Sequence, residues 1–90
     1  MGKEQMVDFL IDVHLAEAGV QDLRLKKDSA AVVFAAQEKL LFKKHGITDS
    51  LYITSYNFYI EHPADLEEIY AAVIDSLSLR QVLLRESAGQ

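Results

Sequence analysis

The chain has 90 residues, half of them apolar, with a formal charge of −5 and no cysteine. This size suits one small domain with a single core, and the composition excludes disulfides and a cysteine-based zinc site. No basic face is large enough to neutralise many phosphates, which argues against nucleic-acid binding. No apolar run approaches the roughly 20 residues of a membrane span, and none has the pattern of a signal peptide.

The first helical segment runs from Lys3 to about residue 25, and its stretch 12–18 contains three ionisable side chains among apolar ones. Residues three and four apart share a face of a helix, so Glu17 falls on one apolar stripe and His14 on the adjacent one, while Asp12 falls toward the polar side. A buried carboxylate needs a hydrogen-bond donor. Gly19 interrupts the helix and indicates a bend or a closely approaching backbone. The stripe that contains Glu17 consists of Met6, Leu10, Val13 and Val20.

The second segment is predicted to start at a cap formed by Asp28 and Ser29 and to end at His45, with Gly46 as the residue that closes it. Its last turns are rich in basic residues, which indicates either an anion or partner site or, as we favour, compensation of the helix dipole. These basic residues are Lys39, Lys43, Lys44 and His45.

Thr48 is a good N-cap for a third segment, whose tyrosines recur at helical spacing as Tyr52, Tyr56 and Tyr59. They are typical of a core with hydroxyl groups reaching outward, and an aromatic ligand cage is the alternative.

Pro63 ends the third segment and is well placed as the first residue of a fourth helix, which continues toward Arg85. Residues 87–90 are expected to fray. The sequence therefore predicts one all-α domain over residues 1–90, ordered from about 3 to 86, as a small bundle of about four helices without a linker. The buried stripe of the fourth helix is expected to be Leu66, Ile69, Tyr70, Val73 and Leu77.

Three stretches together carry a family resemblance. They are residues 12–18 (DVHLAEA), residues 42–48 (FKKHGIT) and residues 55–77, which contain SYNFYIEHP and IYAAVIDSL. In order and spacing they resemble domain-of-unknown-function family 4296, found in Bacteroidota. The polar positions that match the family pattern are Asp12, His14, Glu17, Ser55, Tyr59 and Tyr70.

The resemblance implies a short envelope-associated lipoprotein that faces the periplasm and is tethered by acyl chains. The lipidated N-terminal cysteine of such a protein is not among these residues. The family has no established activity, so the resemblance implies no reaction.

Three interpretations of the matching polar residues differ in chemistry. His14 and Glu17 could both ligate one metal ion, but no second motif supplies the further ligands, so neither a metal nor another cofactor is expected. Asp12, His14 and Ser55 supply the residue types of a hydrolytic triad, but Ser55 lies within a helix without a glycine-flanked turn, so we expect no enzyme.

The favoured interpretation is a buried polar network in which Glu17 and His14 meet the hydroxyl groups of Ser55, Tyr59 or Tyr70. Glu17→Ala would then cost several kcal/mol by leaving its partners unpaired.

Leu79, Val82 and Leu83 extend beyond what a small bundle can cover, and they indicate a surface for a homodimer or for another envelope protein. The predicted function is a non-enzymatic protein-interaction or structural module. The alternative is a small-ligand or metal-binding domain that uses His14 and Glu17.

Overall fold

The computed structural model describes the backbone of residues 1–88 and the side chains of residues 1–86. No strand occurs in this part of the chain, so the predicted all-α bundle is confirmed. The predicted frayed tail lies partly in the last helix, which continues to Ala88, and residues 89–90 fall outside the described part. The helices are α1 (Lys3–Asp22), α2 (Lys27–His45), α3 (Asp49–Ile60) and α4 (Pro63–Ala88).

Three predicted helix ends are present in the structure. Thr48 caps α3, since its hydroxyl oxygen accepts the backbone N–H of Leu51 at 3.1 Å. Gly46 ends α2 in the left-handed conformation, with φ of 65°, and its N–H donates to the carbonyl of Lys43. Pro63 is the first residue of α4. Local signals in the sequence therefore place the turns on both sides of α3.

The turn between α1 and α2 differs from the prediction. α1 ends at Asp22, three residues earlier than expected, and Arg24 adopts a positive φ of 52° in the turn. The expected cap at Asp28 and Ser29 is wrong, because both residues already lie inside α2, whose N-cap is Lys26 and has no side-chain hydrogen bond. Asp28 instead places its negative charge in the first turn, where the helix dipole favours it.

α1 is the central helix of the bundle. It packs against both α2 and α4, and α3 packs on α4. The N-terminal half of α1 enters the core, while α2 buries none of its side chains completely. The C-terminal half of α1 and the N-terminal half of α2 are thus only thinly covered. The buried core cluster consists of Met6, Leu10, Ile11, Tyr59, Ile69 and Val73.

Phe9 joins three helices at the edge of this core. Its ring is completely buried, is stacked on Phe42 of α2 at a centroid distance of 5.4 Å and lies 4.9 Å from the ring of Tyr52 of α3. Such aromatic pairs contribute about 0.5–1.5 kcal/mol beyond their area. Phe9 is therefore a main anchor of α2 and α3 on α1.

Candidate functional site

His14 and Glu17 lie on the surface rather than in a buried network. Their side chains are 40% and 49% exposed, and His14 Nδ1 lies 3.7 Å from Glu17 Oε2. The expected burial of Glu17 is wrong: none of residues 12–19 of α1 is buried, so the neighbouring helices leave this stretch partly open, although Val20 on the same stripe is buried again. Neither side chain hydrogen-bonds to Ser55, Tyr59 or Tyr70. This pair has little effect on helix packing.

The hydroxyl groups of Tyr56 and Tyr70 do meet, at 2.7 Å, and they link α3 to α4. Burial raises the pKa of Tyr70, and the hydrogen bond to Tyr56 raises it further. Burial also raises the pKa of Tyr52. The negative charge of Glu17 makes a smaller contribution to both pKa values.

Ser55 and Tyr59 bind the backbone of residue 1. The N-terminal amine of Met1 donates to Ser55 Oγ at 2.8 Å, and the Tyr59 hydroxyl donates to the Met1 carbonyl at 2.8 Å. Both side chains are buried, with exposures of 8% and 5%. They lie i,i+4 on α3, so one face of that helix fixes the segment that precedes α1. We call this arrangement the residue-1 clamp.

Asp12 holds the C-terminal end of α2 on α1. Its Oδ2 atom accepts hydrogen bonds from His45 Nε2 at 2.7 Å and from Lys44 Nζ at 3.0 Å. Partial burial would raise the pKa of Asp12, but the hydrogen bonds from Lys44 and His45 outweigh it and hold the pKa below its ordinary value. His45 also packs edge-on against Phe9 at 5.3 Å. Asp12 is thus a structural ion-pair residue in this bundle.

These contacts do not bring Asp12, His14 and Ser55 together as a hydrolytic triad. The Ser55 oxygen accepts from Met1, and Asp12 is bonded to His45 rather than to His14. Within residues 1–88, no group of three or more histidine, cysteine, aspartate or glutamate side chains lies close enough together to hold a metal ion. The matching polar residues therefore divide between helix-linking contacts and the exposed pair on α1.

The last turns of α4 expose the apolar side chains that the sequence analysis singled out. Leu79, Val82 and Leu83 are 59%, 46% and 55% exposed, and Leu84 beside them is 70% exposed. The first three recur at i, i+3 and i+4, so they share one side of the helix. We call Leu79, Val82 and Leu83 the α4 apolar face.

Two open recesses border α1. One, of about 350 Å³, lies between α1 and α4, with Val7, Ile69 and Ala72 as its apolar lining. Its charged lining residues are Lys3, Glu4, Asp8 and Glu68. The other, of about 300 Å³, lies at the Asp12 bridge and is lined by Asp8, Ile11, Asp12, Lys44, His45 and Arg80.

Sequence reasoning missed two of these contacts. The basic end of α2 was interpreted as dipole compensation, whereas Lys44 and His45 are partners of Asp12. The antiparallel return of α2 along α1 is the signal that could have paired them, because it brings the end of α2 back to the first turns of α1. The residue-1 clamp had a weaker signal, the i,i+4 spacing of Ser55 and Tyr59.

No helix in the described part of the chain is long and apolar enough to cross a membrane.

The fold and these contacts define a small, open helical bundle of 90 residues held together by a few polar links between helices. Residues 1–82 match the model of a family described as a domain of unknown function, DUF4296, and the chain belongs to that family. The expected family resemblance is thereby confirmed. No curated protein and no solved structure matches the chain.

Proposed function

We propose that this domain is a non-enzymatic protein-interaction module of a small cell-envelope lipoprotein. The observation that carries the interaction is the α4 apolar face, whose three side chains are each about half exposed on a helix that extends past the core. A small soluble domain rarely exposes adjacent large apolar side chains unless they contact another molecule.

The polar residues support a non-enzymatic role. Ser55, Tyr59 and Asp12 are engaged in hydrogen bonds between helices or with the residue-1 backbone, which leaves none of them poised to act on a substrate. Catalysis needs a nucleophile within hydrogen-bond reach of a base. The hydrolytic reaction that these residue types suggest would need such a pair, and their hydrogen bonds are made to other partners.

The envelope location derives from the family resemblance of residues 12–18, 42–48 and 55–77. In this proposal a lipid anchor upstream of Met1 tethers the domain on the periplasmic side of a Bacteroidota membrane. The nitrogen of residue 1 would then be a peptide N–H, which can still donate to Ser55, and the residue-1 clamp would fix the point at which the tether leaves the bundle. Metabolic labelling of the parent protein with an alkyne fatty acid tests this part, and an unlabelled protein would refute it.

The interaction itself is tested by placing a photo-crosslinking amino acid at Leu83 in the parent protein in its own cells. The matched control places it at Ile53 of α3, which is 50% exposed. We expect one discrete adduct from Leu83 and none from Ile53. If neither Leu83 nor Leu79 gives an adduct, the α4 apolar face is not a contact surface.

A second candidate function is small-ligand binding beside Glu17. The observation that favours it is the exposed pair on α1, in which His14 Nδ1 lies 3.7 Å from Glu17 Oε2. Native mass spectrometry tests it, because a bound ligand adds a reproducible mass that denaturation removes. A native mass equal to a whole number of chains would count against it.

A further inference from the structure

The recess between α1 and α4 leads to the α4 apolar face. Ala72, Leu79 and Leu83 are spaced at i, i+7 and i+11, so they lie along one side of α4. This side spans about 16 Å from Ala72 to Leu83. Val7 adds partly exposed apolar surface at its beginning, and Ile69 lies buried beneath it. Asp75 and Ser76 lie on the same side between Ala72 and Leu79. The track that a partner helix would meet is therefore apolar at both ends and polar in the middle.

The edge of this track is acidic. Glu4, Asp8 and Glu68 are exposed carboxylates around the recess. The ammonium group of Lys3 bonds to Asp65 at 2.9 Å and to Glu68 at 2.8 Å. Arg80 lines the neighbouring recess together with Asp8. The three carboxylates around the recess therefore still outnumber these two cations. We call the recess and the side of α4 from Ala72 to Leu83 the acidic track. It should attract a helix that is both apolar and basic.

α2 presents a surface of that chemistry on its outer side. Val32 and Leu40 are 71% and 66% exposed and lie two turns apart. Ala36 lies between them, and Lys39 and Lys43 are exposed on the same side of the helix. From Val32 to Lys43 this surface also spans about 16 Å. We call it the basic face of α2, and it is defined by Val32, Ala36, Lys39, Leu40 and Lys43.

We propose that the partner is a second copy of this chain, whose basic face of α2 docks along the acidic track. Both surfaces are uncovered in one bundle, match in length and carry opposite charge. The contact is helix-in-groove and heterologous, since it joins two different surfaces and leaves one of each free for a further copy. This inference rests on the proposed interaction function and names its partner.

The test reverses the charges of each surface in turn and measures self-association of the purified chain by sedimentation analysis. The wild-type chain should self-associate as its concentration is raised from about 1 µM to about 1 mM. Rising salt should weaken this association. The Lys39→Glu/Lys43→Glu variant and the Glu4→Lys/Asp8→Lys variant should each self-associate about tenfold more weakly, because each reverses two exposed charge pairs.

An equal mixture of the two charge-reversed variants should regain association, since each then offers the other an opposite charge. Regained association also shows that both variants are folded. The Lys26→Glu/Lys27→Glu variant is a matched control with the same change of net charge at the other end of α2, and it should associate as the wild type does.

Three outcomes would overturn the proposal. In the first, the wild-type chain stays monomeric throughout the concentration range. In the second, the Lys26→Glu/Lys27→Glu control self-associates as weakly as the Lys39→Glu/Lys43→Glu variant. In the third, the mixture stays monomeric although circular dichroism shows that both variants are folded. The crosslinking experiment at Leu83 separates this failure from failure of the proposed function. A monomeric chain that still gives a discrete adduct to a different protein refutes self-docking alone.

Discussion

Asp12→Ala should destabilise the domain by about 2–3 kcal/mol. The hydrogen bond between Asp12 and His45 is short, at 2.7 Å, and both side chains are largely buried, with exposures of 18% and 14%. Hydrogen bonds to a charged group contribute about 1.5–3 kcal/mol. The bond from Lys44, whose side chain is 65% exposed, adds at most about 1 kcal/mol because solvent screens it.

Urea unfolding followed by circular dichroism measures this change. For a domain of 90 residues the same free energy corresponds to a fall in melting temperature of about 10–20 °C. Asp75→Ala is the matched control, since Asp75 is an exposed carboxylate on α4, and it should change the stability by less than about 0.5 kcal/mol. If the two variants unfold at the same urea concentration, the Asp12 bridge does not hold α2 on α1.

The same bridge sets a pH dependence. Because the pKa of folded Asp12 lies below its ordinary value of 3.8, the unfolded chain binds the proton more readily than the folded chain. The stabilisation is therefore fully present above about pH 4 and is lost as the pH falls through the folded pKa. The stability difference between wild type and Asp12→Ala should shrink in acid. A difference that grows below about pH 4 would contradict this assignment.

Three further substitutions test the rest of the bundle by the same unfolding assay. Gly19→Ala should stabilise the domain by up to about 1 kcal/mol, since an added Cβ meets nothing within 4 Å, and a destabilised variant would reveal a bend that needs glycine. Tyr59→Phe should cost about 1 kcal/mol by removing the bond to the Met1 carbonyl, and an unchanged midpoint would show that the residue-1 clamp is not formed in solution. Glu17→Ala should cost less than about 0.5 kcal/mol because the side chain is half exposed, and a cost of several kcal/mol would restore the buried network.

The parts of the fold that the sequence predicted depend on neighbouring residues. The Thr48 cap, the left-handed Gly46 and Pro63 at the start of α4 each follow from the conformational preference of one residue or from a bond to a residue three positions away. Helical periodicity likewise predicted Ile69 and Val73 as buried. These predictions hold whatever the helices pack against.

The polar contacts depended on which helices cover which faces, and periodicity carries no such information. Glu17 falls on the same stripe as Met6, but that stripe is buried at Met6, Leu10 and Val20 and open at Glu17 between them. The helical spacing is identical at both positions, so the difference arises from how closely the other helices pack on residues 12–19 of α1. The turn before α2 was equally hard to predict, because Arg24 adopts a conformation that its residue type rarely favours.

The distribution of contacts also favours the proposed binding surfaces over a pocket. A domain of this size has few side chains to spare, and this bundle uses Asp12, Ser55 and Tyr59 to fix helices that a small apolar core holds only in part. A hydrogen bond that fixes a helix leaves its side chain unable to reorganise around a substrate. The most exposed of the large apolar side chains, Val32 and Leu40 of α2 and Leu84 of α4, lie outside the core. Binding there would bury apolar area and so add to the stability of the whole bundle by mass action.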